Sequence, residues 1–190
     1  MKTALRDRLR KERGALSPKW ILSQSKKIEK KLVSECEKKN AIMLYASFDG
    51  EVDTHEIIKE LLKRKKIVLL PKVGKKGIMP VNVKRFNELK PRRYGILEPI
   101  GTRAHPANKI DCIVVPGICF DENGHRIGFG AGFYDRFLSN VKCKKIGLAF
   151  DFQIVKKIPP HPHDIPVDVI ITENRVIYCN RKVYKSRKRC

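Results

Sequence analysis

Residues 121–136, DENGHRIGFGAGFYDR, hold the densest set of groups in this chain that could do chemistry. Gly128, Gly130 and Gly132 alternate with Ile127, Phe129, Ala131 and Phe133. Glycines leave backbone N–H groups unobstructed, so several can converge on one anion, and a helix starting near Tyr134 would add the positive end of its dipole. Phosphate suits such a nest. Arg126 and Arg136 bracket the turn with positive charge, and Asp135 could offer oxygen to a metal. Because the spacing matches neither G-x-x-x-x-G-K-[ST] nor G-x-G-x-x-G, a tight structural connection explains it equally well. Elsewhere, FDGEVDT at 48–54 packs three carboxylates into five residues, which by composition alone is a solvated acidic loop. His161, His163 and Asp164 lie in a proline-rich loop, where an H-x-H pattern is weak evidence for zinc.

The elements that must position these groups follow from patterning. Residues 2–13 form a basic helix with Leu5 and Leu9 on one face, Lys2, Arg6, Arg10 and Arg13 close around it, and Gly14 as a stop; a solvated helix is its default reading. Ser17 caps a second helix with Pro18 at its first position, and Trp20, Ile21, Ile28 and Leu32 form its inner stripe to about Cys36. AIMLYAS at 41–47, a helix capped by Thr54, and IVLLP at 67–71 make a strand–helix–strand unit, which calls for a parallel sheet. IMPVNV is a short strand, and the connections around Pro91, Pro99 and Pro106 say little. The apolar run IDCIVVPGICF reads as a buried strand leading into a loop, followed by the glycine turn and a helix to about Asn140. KIGLAF at 145–150, DVIIT and VIYC are the last strands.

At 190 residues the chain suits one domain, expected over 1–181, with a basic, flexible tail at 182–190. No run approaches a membrane span and the charged N-terminus lacks the apolar core of a secretory signal, so a cytoplasmic protein without a membrane partner is expected. Six cysteines without a C-x-x-C read as reduced thiols. The net charge of +22 invites a nucleic-acid or ribosome-associated reading. Against it, lysines mix with glutamates, as in KKIEKKLVSECEKK, which suits solvated helix faces or heat adaptation, and no nucleic-acid motif accompanies them.

Taken whole, VVPGICFDENGHRIGFGAGFYDR closely resembles the signature of the 5-formyltetrahydrofolate cyclo-ligase family: a strand ending in Pro-Gly, then Phe-Asp, Gly, Arg and Gly-x-Gly-x-Gly-Tyr-Tyr-Asp. Phe133 stands where the family usually has the first tyrosine, and Ala131 stands where some members have lysine. The start KTALR is similar to the family's K-x-x-L-R, YGILEP to its Gly-Ile-x-Glu-Pro, and DFQIVKKIPPHPHDIPVDVIITE to its later positions, so the resemblance spans nearly the whole chain.

The resemblance implies one three-layer α/β domain with a mostly parallel, Rossmann-like sheet and helices on both faces. It implies ATP- and magnesium-dependent conversion of 5-formyltetrahydrofolate to 5,10-methenyltetrahydrofolate, with ADP and phosphate released. Arg126 and Tyr134 would be catalytic. ATP would lie against Lys2, Thr3, Ala4, Leu5 and Arg6 and against Arg126, Ile127, Gly128, Phe129, Gly130, Ala131, Gly132, Phe133 and Tyr134. The folate would meet Phe48, Glu51 and Asp53, the last a shorter stand-in for the family's usual glutamate, and Phe129 to Phe133. Asp135 and Asp164 would hold Mg2+. A monomer acting on small molecules, with no specific nucleic acid, is expected; another phosphate-handling enzyme on the same fold is the third alternative.

Overall fold

The computed structural model describes residues 2–74 and 77–179, so the expected tail at 182–190 lies outside the described residues. In chain order the elements are α1 (Lys2–Gly14), α2 (Pro18–Glu35), β1 (Ala41–Met43), α3 (His55–Lys63), β2 (Ile67–Gly74), β3 (Gly77–Val83), β4 (Leu89–Pro91), β5 (Leu97–Pro99), β6 (Cys112–Val115), β7 (Cys119–Asp121), β8 (Arg126–Ile127), α4 (Phe133–Leu138), β9 (Lys144–Leu148), β10 (Ile154–Val155), β11 (Val169–Ile171) and β12 (Val176–Tyr178).

Seven strands form the main sheet in the order β12-β11-β9-β6-β1-β2-β3. The five inner strands are parallel, and β12 and β3 pair antiparallel at the two edges. Strand periodicity divides the core. Ile42, Val68, Val114 and Ile146 face α2 and α3, packing on Ile28, Leu32, Ile57, Ile58 and Leu61. Met43, Leu69, Ile113 and Ile170 face the other way, against Leu138 of α4, Ile110 and Val141. Helices therefore cover both faces, although α4 has six residues and loops share its side.

Trp20 packs edge-on against Phe150 with ring centroids 4.8 Å apart, so it is a core residue, as expected. Ser17 caps α2 by accepting from the Trp20 N–H. Thr54 does not cap α3. Its hydroxyl donates to the Tyr45 carbonyl and accepts from the Ser47 N–H, while Asp53 Oδ1 takes the His55 N–H at 2.9 Å. The strand expected over 41–47 pairs only to Met43, because the chain beyond leaves the sheet to enter the 48–53 loop.

The run after β6 does not end in a free loop. β7 and β8 form a hairpin, with β10 parallel to β7, and the buried Phe120 makes this small sheet close on the main one. A Cβ at Gly117 or Gly147 would stand 2.6 Å from the Phe120 ring, so both glycines are required by its volume. The turn is fastened by Asp121, which accepts from the N–H groups of Asn123, His125 and Ile158. These contacts fix the base of the glycine-rich segment that follows.

Candidate active site

The glycine-rich segment leaves β8 and enters α4 through Gly130 at φ +103° and Gly132 at φ +65°, left-handed geometry that side-chain-bearing residues rarely adopt. α4 ends at Leu138 instead of near Asn140, so its dipole adds less than a longer helix would. The segment's chemistry rests on loop N–H groups and on the arginines around it.

Those arginines come largely from α1, where Lys2 and Arg6 are partly covered and Arg10 is exposed, as a solvated helix predicts, but Arg13 is buried. Lys2 Nζ reaches Asp164 Oδ2 at 3.1 Å, and Arg6 Nε donates to the Gly128 carbonyl at 3.0 Å. Arg10 and Arg13 both donate to Asp49 Oδ2, at 3.3 and 3.2 Å. Thr3 and Ala4 are exposed, and Leu5 packs beside Leu9, Ile118 and Ile127, so the expected ATP contacts of this strip divide between a basic face and an apolar one.

Arg13 is the site residue that sequence reasoning missed, having been placed on a solvated face. Only 1% of it is exposed, and its guanidinium lies over the Phe129 ring at 5.7 Å from the centroid. The available signal was spacing: Leu5, Leu9 and Arg13 follow at intervals of four, so Arg13 continues the apolar stripe. Above it runs the 48–53 loop, with Asp49 at φ +52° and Gly50 at φ +73°. A Cβ on Gly50 would come within 3.1 Å of the Arg13 carbonyl oxygen, so α1 and this loop close on each other only through a glycine.

Glu51 is not solvated either. It is 6% exposed, Oε2 accepts from the Phe48 N–H at 3.2 Å, and Oε1 stands 4.0 Å from Arg13 Nη1. Burial pushes its carboxyl up to about 7, although the Arg13 charge and the Phe48 N–H pull the other way. Phe48 and Phe129 pair at 5.1 Å with a 32° tilt. Asp53, by contrast, spends one oxygen on capping α3 and on Ser47.

Arg126 is held from two sides, donating to the Ile165 carbonyl at 2.5 Å and to Asp135 Oδ1 at 2.8 Å. Burial lowers its proton affinity and Asp135 raises it again. The Tyr134 hydroxyl is buried without a hydrogen-bond partner, and its ionisation is pushed up by burial and then by the Glu51 charge. Phe133 carries the Arg136 guanidinium on its ring at 5.0 Å, and Ile127 belongs to the core.

A magnesium ion would need hard oxygens. Asp135 Oδ1 also accepts from the Ile165 N–H, next to Asp164 in the chain, and among the described residues the second oxygen of each carboxylate accepts no hydrogen bond. Burial would raise the Asp164 carboxyl, but the His161 N–H and Lys2 outweigh it and hold it below the usual range. Two carboxylates fit magnesium that is completed by phosphate and water. Among the described residues no group of three or more His, Cys, Asp or Glu gathers as a metal cage, so the H-x-H of His161 and His163 is not part of one. No helix there is long and apolar enough to cross a membrane.

Arg13 Nε and Nη1, Glu51 Oε1 and the Tyr134 hydroxyl, from three separate segments, are buried and find no hydrogen-bond partner among the described residues. Comparison with known proteins identifies the family. The profile of the 5-formyltetrahydrofolate cyclo-ligase family matches residues 1–173. The chain is 35% identical over 145 residues to the 5-formyltetrahydrofolate cyclo-ligase of Escherichia coli strain K12, covering 72% of this chain and 80% of that one. It is 30% identical over 190 residues to the Mus musculus protein of the same name, covering 91% and 94%. The solved structure of Aquifex aeolicus 5,10-methenyltetrahydrofolate synthetase superposes with a TM-score of 0.86 at 35% identity, covering 100% of this chain and 99% of that one. With the family profile covering nearly the whole chain and the fold shared end to end, this protein belongs to the 5-formyltetrahydrofolate cyclo-ligase family.

Proposed function

We propose that this protein converts 5-formyltetrahydrofolate to 5,10-methenyltetrahydrofolate, consuming ATP with magnesium and releasing ADP and phosphate. The observation that carries the reading is the glycine segment with Lys2, Arg6 and Arg126 gathered around it in a chain of the cyclo-ligase family.

The formyl oxygen is amide-like and a poor leaving group. Transfer of the γ-phosphoryl group to it makes an imidate ester; N10 then attacks the formyl carbon, the C–O bond breaks with its electrons going to phosphate, and the N10 proton is lost. Little covalent work falls to the protein, whose contribution is alignment and charge neutralisation. Phe48 and Phe129 offer ring faces to the pterin, and Glu51 offers a carboxylate to its N–H edge. Lys2, Arg6 and Arg126 bring positive charge to the phosphates, with the N–H groups from Gly128 to Gly132 beside them. Arg126, fixed by Ile165 and Asp135, and Tyr134 are the proposed catalytic groups at the transferring phosphoryl. Asp135 and Asp164 would hold magnesium, which when bound neutralises phosphate charge and orients the γ-phosphoryl group.

The test is an assay following the absorbance of the methenyl product with and without ATP and magnesium. Product that forms only when both are present supports the reading; no ATP-dependent product rejects it.

A further inference from the structure

Arg13 offers two unused donors, Nε and Nη1, while Nη2 is spent on Asp49. Glu51 Oε1, an unused acceptor, stands 4.0 Å from Nη1. A donor and an acceptor side by side, both dry and too far apart to satisfy each other, require a partner with the opposite pattern on one edge. A 2-amino-4-oxopyrimidine edge has that pattern: N–H donors next to a carbonyl oxygen.

The ring of Phe129 lies across the guanidinium and pairs with Phe48, so a ligand reaches the Arg13 donors only when that ring turns aside. It remains 41% exposed and sits between Gly128 and Gly130, where the backbone tolerates rotation. We infer that Arg13 is a specificity-determining residue that donates to the 4-oxo oxygen of the pterin, beside the N–H groups taken by Glu51, once Phe129 has turned off its guanidinium. This rests on the folate reading above. Asp49 anchors the third nitrogen, so the guanidinium keeps its plane while the other donors meet the ligand.

The chemistry predicts discrimination. A 4-amino analogue puts N–H groups against the Arg13 donors, and a site built to donate there rejects it. Calorimetry on the full chain measures binding of 5-formyltetrahydrofolate, of the corresponding 4-amino pteridine, and of magnesium-ATP. The wild type should favour the 4-oxo ligand by about tenfold or more, which is the loss of one buried hydrogen bond to a charged group. Arg13→Met should reduce that preference by weakening the 4-oxo ligand alone, leaving the share that comes from the N3–H which the 4-amino ring cannot offer Glu51. Arg13→Lys should keep more of the preference, and magnesium-ATP affinity should stay within about twofold. Equal weakening of both pteridines by Arg13→Met would make Arg13 a structural support and overturn the inference. The wild-type measurement stands even where that variant does not fold: pteridine binding without discrimination removes Arg13's role alone, whereas binding of neither pteridine removes the folate reading and this inference with it.

Discussion

The Arg13 guanidinium and the Glu51 carboxylate face each other at 4.0 Å out of contact with solvent, near enough to attract and too far to hydrogen-bond. Asp49 shares the Arg13 charge, and the buried Tyr45 and Tyr134 phenols both feel Glu51. The charge state of Glu51 therefore sets burial against the Arg13 guanidinium and the Phe48 N–H.

Glu51 should therefore make folate binding pH-dependent. Burial pushes its carboxyl up to about 7 from an ordinary value of 4.5. The ionised form accepts the pterin N–H groups, so affinity should fall about tenfold per pH unit below 7 and level off above it. For stability the sign is opposite. The folded state holds a proton that the unfolded state has lost between about 4.5 and 7, so stability from this group falls as pH rises through that window, by about 3 kcal/mol at most. Glu51→Gln should flatten melting temperature against pH there while weakening folate binding; an unchanged pH profile would return Glu51 to an inert role.

Phe48→Ala should weaken folate binding and spare ATP. The ring pairs with Phe129, so the loss of stacking is expected to be about 0.5–1.5 kcal/mol beyond lost area. Calorimetric titrations with each ligand separate the outcomes, and equal loss of both would mark Phe48 as packing only.

Asp135→Asn should lower turnover sharply, with partial recovery at raised magnesium. The amide still accepts from the Ile165 N–H but pairs less well with Arg126, whose side chain is 5% exposed. A stability cost of about 1–2 kcal/mol should accompany the activity loss. Near-normal turnover with a lowered melting temperature would leave Asp135 as a support for Arg126 alone.

Gly124→Ala should unfold the base of the glycine segment before it affects chemistry. At φ +88° the added Cβ would stand 2.3 Å from the Val167 carbonyl oxygen, a clash with backbone that cannot rotate away. Destabilisation of about 2 kcal/mol or more is expected, read by denaturant titration. Unchanged stability would mean that the two loops separate easily.

Local pattern determined much of this protein. The interval between apolar residues placed α2 and α3 on the sheet, the β-branched runs marked β1, β2 and β6, and the glycine alternation with Arg126 and Asp135 marked the site, because each signal lies within a dozen residues and reports one face or one turn. Tertiary structure alone decided which polar groups are buried. Arg13 reaches Asp49 from 36 residues away, and Lys2 reaches Asp164 from 162 away. Asp53 and Glu51 sit two apart in one acidic run, yet Asp53 caps a helix while Glu51 is buried beside Arg13. Periodicity states that a side chain points inward; the charge it meets there is set by the docking of α1 on the 48–53 loop, a long-range contact that no local window contains.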